Sequence, residues 1–247
     1  LLRPVGGQAH MNVLDLFSGI GGFSLGLERA GMTTVAFCEV DPWCRKILAK
    51  HWPDVPCFDD VRTLKGDDVG SVQLICGGFP CQPFSQAGLR RGAEDDRHLW
   101  PEMFRIIKDI RPRWVIGENV AGHISMGLDD VLSDLEGEGY TCWPIVIPAC
   151  AVDAPHRRDR VWIVADASQQ FSDGRNNNGR GRPGQTSEFR NGVEESGPVC
   201  CRWLSESGVG RVAHGIPRRV DRLKGLGNAV VPQIPEMIGR AIMAVGT

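Results

Sequence analysis

The sequence predicts an α/β fold, with a mostly parallel sheet covered by helices on both faces. Short apolar runs alternate with segments of helical period along the first two thirds of the chain. Turns rich in glycine or proline separate them. The size agrees: 247 residues, 42% hydrophobic and 23% charged, suit one large domain or a domain with a small lobe.

Asn12 to Phe17 reads as the first strand, followed by the turn Ser18-Gly19-Ile20-Gly21-Gly22 and an amphipathic helix to about Ala30. Thr34 to Cys38 is a second strand, and a helix runs from Pro42 to about His51, with proline favoured at its start. The apolar run Val72 to Cys76 reads as a buried strand, with Leu74 to Cys76 as the strand proper and Gly77 and Gly78 ending it. Trp100 to Ile110 is a helix, Trp114 to Gly117 a strand and Leu128 to Glu138 a helix. Trp143 to Pro148 and Arg160 to Ala165 are further strands. From Asp166 to about Pro198 the chain is rich in Gly, Asn, Ser and Arg, a composition that buries little apolar surface and is expected to be mobile. Order is expected to resume near Trp203, and a helix from about Pro232 to Val245 closes the chain. Leu1 to His10 has no periodicity and reads as a non-native or disordered leader before Met11.

Composition excludes several classes. The longest apolar runs fall well short of the roughly 18 residues that span a bilayer, and no signal peptide opens the chain. None of the nine cysteines forms a C-x-x-C pair, and the six histidines show no ligand spacing to them. A disulfide framework and a zinc site are therefore not expected, and a reducing cytosolic setting is. Net charge is −2, unevenly spread: His156 to Lys224 holds 13 Lys/Arg against 8 Asp/Glu, the remainder 15 against 22. A basic segment on an acidic body suits a localised polyanion-binding face; a solvated arginine-rich loop is the plain alternative.

Three stretches carry chemistry. In Gly77-Gly78-Phe79-Pro80-Cys81-Gln82-Pro83-Phe84-Ser85 one cysteine sits between two prolines, directly after a buried strand. A lone cysteine is usually a small core hydrophobe, but a packing cysteine has no use for flanking prolines. The expectation is a stiff loop presenting the Cys81 sulfur at the carboxyl edge of the sheet, where open α/β folds place their sites. The Ser18 to Gly22 turn lets a ligand approach the backbone at a helix N-terminus, and Glu39 follows Gly19 by 20 residues, at the spacing of a ribose-binding carboxylate. A simple strand-to-helix turn is the alternative. The third glycine of the dinucleotide fingerprint is missing, which favours S-adenosylmethionine over a nicotinamide cofactor. Glu118-Asn119-Val120 follows the strand Trp114 to Gly117. It offers either a proton donor on the rim of Cys81 or a helix N-cap.

These pieces occur in one order: Asp15-Leu16-Phe17-Ser18-Gly19-Ile20-Gly21-Gly22, Pro80-Cys81-Gln82, Glu118-Asn119-Val120, Arg158-x-Arg160 and Gly227-Asn228-Ala229-Val230-Val231-Pro232. The chain thereby resembles the DNA cytosine-5 methyltransferases from about Met11 to Val245. The resemblance implies a Rossmann-like catalytic domain over 11–165, a short and partly irregular target-recognition insert over 166–217, and a C-terminal segment, 218–247, returning to the catalytic domain. It assigns Phe17, Gly19, Ile20, Gly21, Gly22 and Glu39 to S-adenosyl-L-methionine, Glu39 on the ribose. Asp60, Val61 and Leu99 fall at the adenine end, and Asn228 and Val230 complete the pocket. No metal is implied.

On the same resemblance, a Cys81 thiolate adds to C6 of a flipped cytosine, and protonated Glu118 bonds N3. The Pro80 carbonyl holds the exocyclic amine, and Arg158 and Arg160 fix the base and the Cys81 loop. The expected partners are double-stranded DNA and a cognate restriction endonuclease, with no membrane, for a monomer in the cytoplasm of a bacterium or phage-infected host. His156 stands where the family has a glutamine, and the insert is short for a recognition lobe. A transfer-RNA cytosine-5 methyltransferase and a catalytically silent DNA-binding relic are the competing readings.

Overall fold

A computed structural model describes residues 11–80, 99–125, 127–167 and 229–245. The leader expected before Met11, Cys81 with the loop after it, Asn228 and the insert from residue 168 onward lie outside these residues.

Among the described residues, seven strands form one sheet in the order β3-β2-β1-β4-β5-β7-β6. Chain order is β1 (Asn12–Leu16), α1 (Gly22–Arg29), β2 (Thr33–Cys38), α2 (Pro42–His51), β3 (Cys57–Phe58), β4 (Leu74–Gly77), α3 (Trp100–Ile110), β5 (Trp114–Val120), α4 (Leu128–Gly137), β6 (Thr141–Pro148), β7 (Asp159–Asp166) and α5 (Gln233–Val245). β1 to β5 pair in parallel, whereas β7 runs antiparallel between β5 and β6. The mostly parallel sheet expected from the sequence is therefore present, with one reversed strand. That reversal brings the start of β7 to the carboxyl rim of β5, because Val120 pairs with Arg160.

Helices cover both faces. α3 and α4 pack on one face, where Met103, Ile106, Ile107, Val131 and Leu135 close over Leu14, Leu16, Ile75 and Val115. α1 and α5 pack on the other, with Phe23, Leu27, Ile234, Ile238 and Ile242 over Val13, Leu74, Ile116 and Trp162. Because both faces are covered, β1 is apolar on both sides: Val13, Leu14 and Leu16 are wholly buried. In α3, Trp100, Met103, Ile106 and Ile107 form the buried stripe that helical period requires. α2 starts where Pro42 follows Asp41, whose carboxylate accepts the Trp43 and Cys44 N–H groups at 2.8 and 3.4 Å.

Several boundaries shift for local reasons. β1 ends at Leu16, one residue early, because Phe17 turns into positive φ at 55°. Gly77 is the last residue of β4, paired with Leu16 and Gly117, so the strand runs one residue past Cys76. β4 begins at Leu74, where parallel pairing with β1 and β5 starts. β6 begins two residues before Trp143, since Thr141 and Cys142 pair with Asp166 and Ala165. β7 likewise runs to Asp166, one residue past the expected edge of the catalytic domain. Among the described residues, no helix is long and apolar enough to cross a membrane.

Candidate active site

The carboxyl ends of β1 to β5 share one rim, and the strand order reverses between β1 and β4, the place where open α/β sheets form a crevice. The segments just beyond these strands are Phe17–Gly21, Glu39, Asp59–Asp60 and Gly78–Pro80. On β5 itself Glu118 reaches this edge.

The glycine turn is built from below. Ser18 donates its hydroxyl to the Asp15 carbonyl at 2.6 Å and its N–H to the Cys38 carbonyl at 3.2 Å, tying the turn to β1 and β2. Asp15 is fully buried; its Oδ2 accepts the Ser24 hydroxyl at 2.8 Å, and its Oδ1 has no hydrogen-bond partner. Burial pushes its carboxyl from 3.8 up to about 7, outweighing the Ser24 bonds, while the nearby Glu39 charge adds to the rise. Glu39, itself buried, accepts the Gly19 N–H at 2.7 Å on one oxygen and the Asp41 N–H at 2.7 Å on the other.

Gly19 has φ +55°, and a Cβ there would meet nothing within 4 Å, so its outer side is open. Ile20 beside it is half-buried. Gly21 has φ +87°. Gly22 is small for a different reason: a Cβ there would lie 2.7 Å from the Val230 carbonyl oxygen. The C-terminal segment thus rests directly on the first turn of α1, joining the two ends of the described chain.

The second half of the rim holds the carboxylate. Glu118 lies on β5, one register step beyond Gly117, which pairs with Gly77 of β4. A Cβ on Gly78 would stand 3.1 Å from Glu118 Oε2, so the carboxylate lies against the backbone that leads to Pro80. Arg160 sits diagonally across on β7, and its Nε reaches Glu118 Oε1 at 2.9 Å. The Glu118 side chain is only 13% exposed. Burial raises its pKa above the ordinary carboxylate value, although Arg160 and Arg158 oppose the shift. Arg158, at φ 39°, donates from Nη2 to the Ala229 carbonyl at 2.9 Å, linking this half to the C-terminal segment. Burial lowers the Arg158 pKa, with the Arg160 charge adding to that effect.

Asn119 departs from the helix-cap alternative that the sequence left open. In place of capping a helix, it lies within β5, 5% exposed, and donates Nδ2–H to the Phe79 carbonyl at 3.0 Å. It thereby fixes the backbone just before Pro80, which is exposed. Asp60 begins a turn after β3, with Oδ1 accepting the Arg62 N–H at 3.0 Å. Val61 is 5% exposed and its side chain packs in the core, and Leu99 packs against the same cluster. Among the described residues, no group of His, Cys, Asp or Glu could hold a metal ion.

A mostly parallel sheet with this strand order, a glycine turn held by the Glu39 carboxylate and a second carboxylate paired with Arg160 make this a Rossmann-like domain with its candidate site on the carboxyl rim. The chain belongs to the C-5 cytosine-specific DNA methylase family, whose model matches residues 11–195. It is 38% identical over 175 residues to Type II methyltransferase M2.BsuMI of Bacillus subtilis (strain 168), covering 66% of this chain and 44% of that protein. To Type II methyltransferase M.Eco47II of Escherichia coli it is 38% identical over 164 residues, covering 62% of this chain and 39% of that one. The chain therefore spans less than half the length of these curated relatives. Among solved structures, a protein described as a DNA modification methyltransferase encoded within an E. coli prophage superposes with TM-score 0.57 at 28% identity, covering 64% of this chain and 47% of that one. The S. pombe Dnmt2 methyltransferase shares the fold, with TM-score 0.56 at 23% identity over 68% of this chain and 57% of the other.

Proposed function

We propose that this chain carries the catalytic core of a DNA cytosine-5 methyltransferase. It would move a methyl group from S-adenosyl-L-methionine to C5 of a cytosine turned out of duplex DNA, through a transient bond to Cys81. The observation that carries this reading is the Glu118 carboxyl, buried, held by Arg160 and lying against the strand end that leads to Pro80 and Cys81. Burial favours the protonated form of this carboxyl, the form that can hydrogen-bond a ring nitrogen where charge develops as a nucleophile adds to the pyrimidine.

The residues fit the methyl donor. Glu39 retains free lone pairs beyond its two N–H bonds, enough to accept ribose hydroxyls, and the open side of Gly19 admits a ligand against the backbone. The donor supplies an electrophilic methyl group on a sulfonium. Phe17, Ile20 and Val230 would enclose its methionine end with Asn228, while Asp60, Val61 and Leu99 would meet the adenine. On the acceptor side, the Cys81 thiolate forms a bond to C6, Glu118 gives its proton to N3, and the Pro80 carbonyl accepts from the exocyclic amine. C5 then takes the methyl group, its proton leaves to a base, and the S–C6 bond breaks. Arg158 and Arg160 hold Glu118 and the C-terminal segment in register during these steps.

The Type II methyltransferases among the relatives favour duplex DNA over RNA as substrate and a restriction–modification setting with a cognate endonuclease. The remaining parts of the reading are a catalytic domain over 11–165, a recognition insert over 166–217 and a C-terminal return over 218–247, in a cytoplasmic monomer. The test offers S-adenosyl-L-methionine labelled on the methyl group with duplex DNA or with transfer RNA. Label recovered as 5-methylcytosine in DNA supports the proposal; label in RNA alone, or in neither, refutes it.

A further inference from the structure

We propose that Arg105 is a positioning residue for the nucleoside end of the methyl-donor pocket, an inference that rests on the function proposed above. Arg105 lies in the middle of α3 and reaches the turn after β3. Its Nη2 donates to the Val61 carbonyl at 2.8 Å and, more weakly, to the Arg62 carbonyl at 3.5 Å, while Nη1 donates to the Leu64 carbonyl at 3.0 Å. Its Nε is held by Glu102 Oε2 at 2.9 Å, one turn back on the same helix. One planar fork therefore gathers three outward carbonyls of a single turn, which a lysine ammonium does not reproduce.

The turn needs such a clamp. β3 is two residues long, so the sheet fixes little of the chain beyond it. Below, Val61 and Leu64 plug into the core at 5% and 2% exposure. Above, the turn is closed locally, with Thr63 donating its N–H and hydroxyl to the Asp60 carbonyl. Arg105 supplies a long-range hold on the turn itself, spanning 41 to 44 residues, and it does so from the helix that begins just after Leu99. Asp60 and Val61 on one segment and Leu99 on the other, the residues assigned to the adenine end, are thus tied together by this guanidinium, alongside Asp109 of the same helix, which accepts the Gly66 N–H at 2.7 Å.

Arg105 is 39% exposed, so its loss leaves no buried charge behind, and the consequence falls on the geometry of the turn more than on global stability. The test compares wild type with Arg105→Lys and Arg105→Gln, measuring affinity for S-adenosyl-L-homocysteine by calorimetry together with KM for S-adenosyl-L-methionine and kcat. Loss of charge-assisted bonds to the turn should weaken S-adenosyl-L-homocysteine binding by roughly tenfold or more and raise KM by a similar factor, with kcat at saturation nearly unchanged. Unchanged affinity, or a fall in kcat with KM intact, overturns the proposal. Glu102→Gln loosens the Nε anchor while keeping the guanidinium, and should shift affinity in the same direction by a smaller factor. If both Arg105 variants fail to fold, unchanged affinity in Glu102→Gln overturns the proposal. A wild-type protein that binds no S-adenosyl-L-homocysteine would take down the functional reading and this inference together, which separates that failure from the first.

Discussion

Replacing Asp15 with asparagine should flatten the dependence of stability on pH. Asp15 is fully buried beneath the glycine turn, with Ser24 bonded to Oδ2 and Oδ1 unpartnered, and its carboxyl titrates at about 7 in place of 3.8. Because the folded protein holds this proton more tightly than the unfolded chain, the stabilising effect is complete below the unfolded value. It is then lost progressively as pH rises from about 4 through 7. Over that whole window the loss amounts to about 4 kcal/mol, and between pH 5 and 8 to about 3 kcal/mol. Asparagine keeps an acceptor for Ser24 and does not titrate. Urea unfolding of wild type and Asp15→Asn at pH 5, 6, 7 and 8 gives the difference directly, since Glu118, whose raised pKa acts in the same sense, is common to both proteins. The wild type should be the more stable at pH 5, with the gap closing or reversing by pH 8. Parallel profiles across that range would show that Asp15 is ionised throughout and that the burial argument is wrong.

Two further outcomes concern the rim. Gly22→Ala places a methyl group 2.7 Å from the Val230 carbonyl oxygen, so it should cost roughly 1–3 kcal/mol and loosen the C-terminal segment, read as lower melting temperature and faster proteolysis near residue 230. Glu118→Gln should reduce kcat by about a hundredfold or more, and wild-type turnover should fall as pH rises through the raised Glu118 pKa, because the protonated form is the active one. Equal rates in the two proteins, or a wild-type rate still climbing well into the alkaline range, would remove Glu118 from the proton-donor role.

Much of the fold is legible in the sequence because parallel strands buried on both faces are continuous apolar runs, punctuated here by glycine and proline. That is why β1, β2 and the five described α-helices fall close to their expected positions, whereas β5 starts as expected at Trp114 but runs three residues past Gly117, taking in Glu118, Asn119 and Val120. β3 is not legible: Cys57–Phe58 is too short to show any period. The reversed direction of β7 is also hidden, since an antiparallel strand with both faces covered has the same composition as a parallel one. The candidate site divides in the same way. Glu39 is marked by its spacing from the glycine turn and Glu118 by its place at the end of a strand, and the structure sets Arg160 against Glu118 through pairing across the sheet. Asn119 reads as a cap because a short helical segment comes after it, yet its amide points sideways to Phe79, a contact 40 residues away in sequence. Asp15 appears in the sequence only as part of the first motif, and its burial and its bond to Ser24 of α1 emerge only in the fold. Arg105 shows locally only its i,i+3 pairing with Glu102, since the carbonyls it gathers lie on a turn more than 40 residues earlier.

The central claim is a covalent bond between Cys81 and the target base. Duplex DNA carrying 5-fluorocytosine at the target position, incubated with the protein and S-adenosyl-L-methionine, blocks loss of the substituent at C5 and should trap that bond. The account predicts a complex that survives denaturation, maps to Cys81 by mass spectrometry and is absent in Cys81→Ala. Methylation of ordinary duplex DNA by the same preparation, with no trapped complex on the fluorinated duplex, would contradict it.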